Sequence, residues 1–394
     1  MLLPVMPQET SIPCACFFQN VGQWRLNMGI RLSLAGTVLA SLVCLGICIL
    51  PMPGVAKVTG QCAQCHTMHN SQGGDPMAVD IAGNPQSTPN ETLLRYGCVA
   101  CHTGTNDGTN NIPYVNSTTA PTYGTDGTTG NTLAGGNFYW VAAAGGASDA
   151  MGHNVASDSL ATQDATLGNT PPGGTGPLAS QLTCAGTTGC HGDRSQDSDF
   201  GAMSGTHHAD DTIIDGTSVA RSYRFLNGVL GLEDPDWEYL PTATAHNQYR
   251  GFDRTSDTEL AAGSISNLCA QCHNDFHNGS GNVGGTAPAA NPFSSPWVRH
   301  PTDFDMGNTA AGSEYRNYGG AGVNAYVVSA PVASVDVSTV LSTVTFNDDT
   351  IVTCISCHRA HGTPYPDLLR WDYSLISAGG GGSGGCFECH TTKN

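Results

Sequence analysis

Residues 62–69 read Cys62-Ala-Gln-Cys65-His66-Thr-Met-His69: two thiols three positions apart, a histidine directly after the second, and another histidine three further on. The first five positions return as Cys98-Val-Ala-Cys101-His102, Cys269-Ala-Gln-Cys272-His273, Cys354-Ile-Ser-Cys357-His358 and Cys386-Phe-Glu-Cys389-His390. C-x-x-C-H is the attachment signature of haem c. The thiols bond the porphyrin edge, and the neighbouring imidazole reaches the iron from the proximal side. Zinc ribbons also use C-x-x-C pairs, but nothing in zinc chemistry requires histidine at the next position. With 14 histidines in 394 residues, five such neighbours do not arise by chance.

One further pair, Cys184-Ala-Gly-Thr-Thr-Gly-Cys190-His191, has five residues between the cysteines instead of two. A glycine- and threonine-rich insert can loop out and still present both sulfurs to one porphyrin. An ordinary disulfide, or attachment through Cys190 alone, are the other readings. We take Cys184, Cys190 and His191 as a sixth site, because every cysteine beyond the leader then follows one pattern. The expected cofactor is six covalently attached haem c groups, with His66, His102, His191, His273, His358 and His390 as proximal iron ligands.

Eight histidines remain: His69, His153, His207, His208, His246, His277, His300 and His361. Six six-coordinate irons need six of them. His69 and His361 follow their nearest proximal histidine by three residues and His277 follows by four, too close to reach the far face of the same porphyrin. They can serve a neighbouring iron instead, which forces the haems close together. A second imidazole gives a low-spin iron of low to intermediate potential. With no coordination position left open, the pattern favours electron transfer over catalysis.

Composition agrees. The formal charge is −18 with only two lysines, so no basic footprint for nucleic acid exists. Fifty glycines and 22 prolines are poor material for long helices. The expected fold is an irregular multihaem cytochrome c, mostly coil with short helices and minor β, its core built by stacked haems. Ser264–His273 reads as a helix with a serine cap, Ser334–Phe346 as a small strand pair, and Thr103–Gly130, Gly279–Ala290 and Ala378–Gly385 as loops or flexible connections. The apolar run Leu32–Leu50, behind Arg25 and Arg31 and ahead of Pro51–Ala56, reads as a secretory signal cut after Ala56, with a retained membrane anchor as the other reading. Met28 makes a more ordinary start than Met1. Residues 1–56 are then a leader and 57–394 a single hexahaem domain beyond the inner membrane.

The order of motifs resembles the hexahaem c-type cytochromes that polymerise into extracellular filaments in metal-reducing bacteria. Its carriers are Cys65-His66-Thr-Met-His69-Asn-Ser, Gly152-His153-Asn154-Val155, Cys272-His273-Asn-Asp-Phe-His277-Asn, Arg299-His300-Pro301, Cys357-His358-Arg-Ala-His361 and the final C-x-x-C-H, spread over most of the chain after the leader. The resemblance implies bis-histidine haems in one continuous chain, little regular structure, and end-to-end assembly of identical subunits. It implies that His69 ligates a haem of the adjoining subunit, while His153, His277, His300 and His361 are distal ligands within their own. The third motif departs from the family, which has a standard C-x-x-C-H with a histidine three residues on; here Gly192-Asp193-Arg194 follows. The missing ligand is then sought at His208, with His207 and His246 as alternates. The expected function is extracellular electron transfer through a conductive filament, between redox donor cytochromes and extracellular acceptors, by a protein that is not an enzyme. A discrete carrier, in which His69 ligates within its own chain, and a terminal reductase with one open haem are the competing readings.

Overall fold

In a chain this rich in glycine and proline, backbone groups find their partners in turns and through side chains rather than in long ladders. The computed structural model describes residues 58–393, apart from 59, 80–83, 143–148, 157–168, 175, 257, 258, 260, 278–299 and 381–383. The leader, the loop Gly279–Ala290 and the middle of the glycine-rich connection before Cys386 lie outside the described residues. The described residues all fall within one compact unit, Gly54–Asn394.

Five short α-helices occur among them: α1 (Cys62–Cys65), α2 (Cys98–Cys101), α3 (Tyr139–Ala142), α4 (Asp199–Ala202) and α5 (Ile265–Ala270). None is long and apolar enough to cross a membrane. The strands pair only two by two, four pairs antiparallel and one, Thr183–Ala185 with Gly189–His191, parallel. This is the expected coil with short helices and minor β. The serine cap is present: Ser264 Oγ accepts from Asn267 N at 3.0 Å. The α-helix it starts stops at Ala270 rather than His273, and a 3-10 turn follows at Asn274–Phe276.

Ser334–Phe346 forms no strand pair. It makes only isolated bridges, Ser334 to Arg250 and Thr343 to Ala325. The reason is local: Ser334 Oγ accepts from Asp336 N, and an Asp336 carboxylate oxygen accepts from Ser338 N, so side chains take the donors a ladder would need.

Apolar burial is modest and localised. One cluster gathers Tyr223, Leu226, Val229, Tyr249, Ile265, Ala333 and Ile351; a second gathers Met306, Tyr318, Tyr326, Val332 and Val344. Elsewhere buried polar side chains replace regular structure. Asn70 donates to the carbonyls of Gln86 and Ser87 and accepts from Ala78 N. Arg359, 2% exposed, donates to the carbonyls of Leu133, Ala134 and Gly127 and to the Tyr123 hydroxyl. Buried polar groups must be paired in this way, and here the pairing fixes the path of the coil.

Candidate functional site

Each C-x-x-C-H segment closes on itself. The histidine N–H donates to the carbonyl of the first cysteine in all five: His66 to Cys62 at 2.8 Å, His102 to Cys98 at 3.0 Å, His273 to Cys269 at 2.9 Å, His358 to Cys354 at 3.1 Å and His390 to Cys386 at 3.0 Å. One turn of helix or 3-10 helix therefore sets two thiols three residues apart with an imidazole beside them. The longer segment reaches a similar end by other means. Its two short strands run parallel, Thr183 opposite Gly189 and Ala185 opposite His191, so the insert brings Cys184 and Cys190 to adjoining strands. A Cβ on Gly189 would sit 2.4 Å from the Ala185 carbonyl carbon, so only glycine fits this crossing. All twelve cysteines, Cys62, Cys65, Cys98, Cys101, Cys184, Cys190, Cys269, Cys272, Cys354, Cys357, Cys386 and Cys389, are free of disulfides. Burial pushes the Cys357 thiol up to about 12, so the thiol is neutral at pH 7.

The Nδ1 atom of every motif histidine lies against an acceptor. His66 meets Thr92 O at 3.0 Å, His102 Pro113 O at 2.8 Å, His191 Arg224 O at 3.0 Å, His273 Pro172 O at 2.7 Å and His358 Asp367 O at 2.6 Å. His390 alone faces a carboxylate, Glu314 Oε1 at 3.4 Å. An Nδ1–H so placed fixes the tautomer and leaves the Nε2 lone pair for a metal. Three of the acceptors belong to one repeated device. Thr92-Leu93, Arg224-Phe225 and Asp367-Leu368 are consecutive pairs of left-handed residues, with φ between 49° and 62°. The first residue of each pair presents its carbonyl to the imidazole. The second accepts the N–H of the residue after the motif: Thr67 to Leu93 O, Gly192 to Phe225 O and Arg359 to Leu368 O. Left-handed backbone costs a non-glycine residue roughly 1–2 kcal/mol, so these turns persist because the motif holds them from the other side. The device serves the first, third and fifth sites.

The imidazoles meet in facing pairs. Ring centroids are 5.9 Å apart for His66 and His208, 6.5 Å for His102 and His207, 6.4 Å for His191 and His361, 6.1 Å for His273 and His153, and 6.2 Å for His390 and His300. Imidazole–metal bonds run about 2.0–2.1 Å, so two imidazoles on opposite sides of one ion bring their centroids to about 6 Å. The residues therefore fit bis-histidine haem. Space is kept for the rings: a Cβ on Gly135 would lie 2.8 Å from Nδ1 of His361. Burial holds His361 down to about 3, with His191 and His153 adding to it, and His207 down to about 4, so both stay neutral.

Four histidines lie outside these pairs. His277 does not face a motif imidazole; it is 1% exposed and its Nε2 is 2.8 Å from Asp303 Oδ2, which also accepts from Ser264 Oγ. The structure does not bring His277 to a motif imidazole in the distal role expected of it, because its Nε2 is engaged by the Asp303 carboxylate. His246 stacks flat on Tyr326 at 3.6 Å and meets the carbonyls of Asn247 and Leu341, a core residue. His207 and His208, weighed as alternatives for the third motif, instead face the second and first, and His361 faces the third. His69 is exposed beside Met68, itself 89% exposed, with Nδ1 3.0 Å from Ser71 Oγ. Among the described residues His358 faces no second imidazole.

The sites follow one another in sequence order. His207 and His208 join the first pair to the second. Cys98 and Cys184 converge with Asp199, joining the second site to the third. Burial pushes the Cys190 thiol up to about 11 and Cys272 adds to it, so the third site neighbours the fourth. Cys269 and Cys354 hydrogen-bond each other, and Cys386 acts on Cys357. His358 lies between neighbours, lowering both His153 and His300, whose main cause is burial.

Repeated C-x-x-C-H turns, tautomer-fixing acceptors and facing imidazoles are together the marks of a multihaem c-type cytochrome. The doubled C-x-x-C-H motif family matches residues 347–394, which hold the last two sites. Over its length the chain is similar to C-type cytochrome OmcS of Geobacter sulfurreducens, with 28% identity over 82% of each chain. Among solved structures, the outer membrane cytochrome S filament of Geobacter sulfurreducens aligns over 82% of this chain and 86% of that one, at 24% identity and a TM-score of 0.44. The OmcS nanowires of the same organism align over 83% and 86%, at 22% identity and 0.44.

Proposed function

We propose that this chain is an extracellular electron-transfer protein of six haems c that polymerises into a filament with a continuous haem chain. The observation that carries the proposal is a mismatch in the pairing: five imidazole pairs close within the chain, while His358 faces no second imidazole among the described residues and His69 stands exposed. Bound haems supply the one-electron chemistry. The polypeptide holds them. The twelve cysteines tether the porphyrin edges, and His66, His102, His191, His273, His358 and His390 ligate from the proximal side. His208, His207, His361, His153 and His300 close the first, second, third, fourth and sixth sites. His69 reaches the fifth site of the adjoining subunit, so each junction completes a ligand pair. A heterologous contact of this kind propagates without closing. Similarity to C-type cytochrome OmcS supports the electron-transfer reading; secretion to the cell surface, a redox donor on the cell side and an acceptor outside it complete the proposal.

Because every iron is six-coordinate in the polymer, no site is reserved for a substrate, and the protein acts as a carrier and not as an enzyme. His69→Ala tests the junction. The expected result is loss of filaments with all haems retained, and one iron in six turning high-spin. Filaments of normal length, with no high-spin iron, would overturn the proposal.

A further inference from the structure

Five motif histidines rest on neutral backbone carbonyls, whereas His390 faces the Glu314 carboxylate. The contact is long, 3.4 Å, but it is built. Glu314 opens the 3-10 turn Glu314–Asn317, and its side chain is 11% exposed. Its Oε2 accepts from Thr392 Oγ1 at 2.6 Å and from Thr392 N at 3.3 Å, while its backbone carbonyl accepts from Thr391 Oγ1 at 2.7 Å. The two residues after the motif thus fold back and aim Oε1 at the imidazole. Tyr315 packs edge-on against the same ring at 5.2 Å, and His300 faces it at 6.2 Å.

A carboxylate behind a ligating histidine draws the Nδ1 proton toward itself and makes the imidazole a stronger donor. A stronger axial donor favours the ferric state. We infer that Glu314 is a positioning residue that acts through His390 to lower the reduction potential of the sixth haem relative to its five neighbours. The inference rests on the proposed ligation of that haem by His390 and His300. It adds a function for the end of the row: a low-potential site next to the fifth, where the subunit junction is proposed. The step is one-electron reduction of ferric to ferrous iron, with the electron supplied by an external donor, and no bond to the protein is made or broken.

The test compares the holoprotein with Glu314→Gln, which keeps the size of the side chain and removes its charge. Haem content and low-spin signal are measured first; a wild type lacking the sixth haem, or holding it without two histidines, overturns the ligation reading and this inference with it. With six low-spin haems in both proteins, spectroelectrochemical titration is expected to move one of six components upward and leave five in place. A tenfold loss of preference for the ferric state is ~59 mV for a one-electron couple. Glu314→Asp is expected to recover part of the shift. Superimposable titrations at equal haem content would overturn the inference. Should Glu314→Gln fail to load haem, Thr392→Val releases the clamp on Oε2, and a smaller upward shift of the same component is expected; no shift there overturns the inference equally.

Discussion

His277 and His208 are both expected as distal ligands, yet only His208 meets a motif imidazole, and single substitutions separate the two. His277 sits on Asp303, which is 0% exposed, inside the brace that also holds the cap of α5. Removing its ring leaves a buried carboxylate short of a partner, at a cost of about 3 kcal/mol. His277→Ala is therefore expected to lower the unfolding midpoint while every haem stays low-spin. His208→Ala is expected to do the reverse: little change in stability, and one iron of six converted to high-spin by the loss of the ring facing His66. Electron paramagnetic resonance with thermal unfolding followed by circular dichroism reads both. Loss of low-spin signal in His277→Ala would restore the distal role to that residue.

At the scale of elements, the covalent chemistry of haem attachment is local, and what is local was legible. Two thiols and an imidazole must lie within one turn, so the C-x-x-C-H segments, the short helices and the serine cap at Ser264 could be read from neighbouring residues. The partners could not. His153 meets His273 only because the chain returns across more than a hundred residues, and nothing near Asn274–Phe276 announces that Asp303 will claim His277. Left-handed turns are hidden for another reason: Thr92-Leu93, Arg224-Phe225 and Asp367-Leu368 hold a conformation that glycine would advertise and these residues do not. The shared Leu-Leu-Arg at 93–95 and 368–370 is the one trace they leave. Proline holds φ near −65° and cannot take the 58° of Leu368. Leu368→Pro should cost about 3 kcal/mol, release the acceptor of His358 and perturb the fifth haem, visible as an earlier unfolding step and a changed signal from that site. An unfolding curve equal to wild type would show that the turn does not support the motif.

For the whole molecule, the row of sites explains how a chain with few strands and no helix beyond six residues among those described holds a defined course. Side-chain clusters gather described residues between Tyr223 and Ile351; elsewhere motifs come together at Cys98 with Cys184 and at Cys269 with Cys354, and in the proposed reading the haems finish the core. In the proposed reading His69 and His358, at opposite parts of the sequence and without a facing imidazole among the described residues of their own chain, leave each subunit to be completed by the next. Cryo-electron microscopy of the extracellular fraction, prepared without acid or reducing treatment, tests this most directly. Filaments are expected whose density runs unbroken through six haems per subunit, with His69 of one subunit opposite His358 of the next. Discrete particles, or a fifth haem ligated wholly within its own chain, would contradict it.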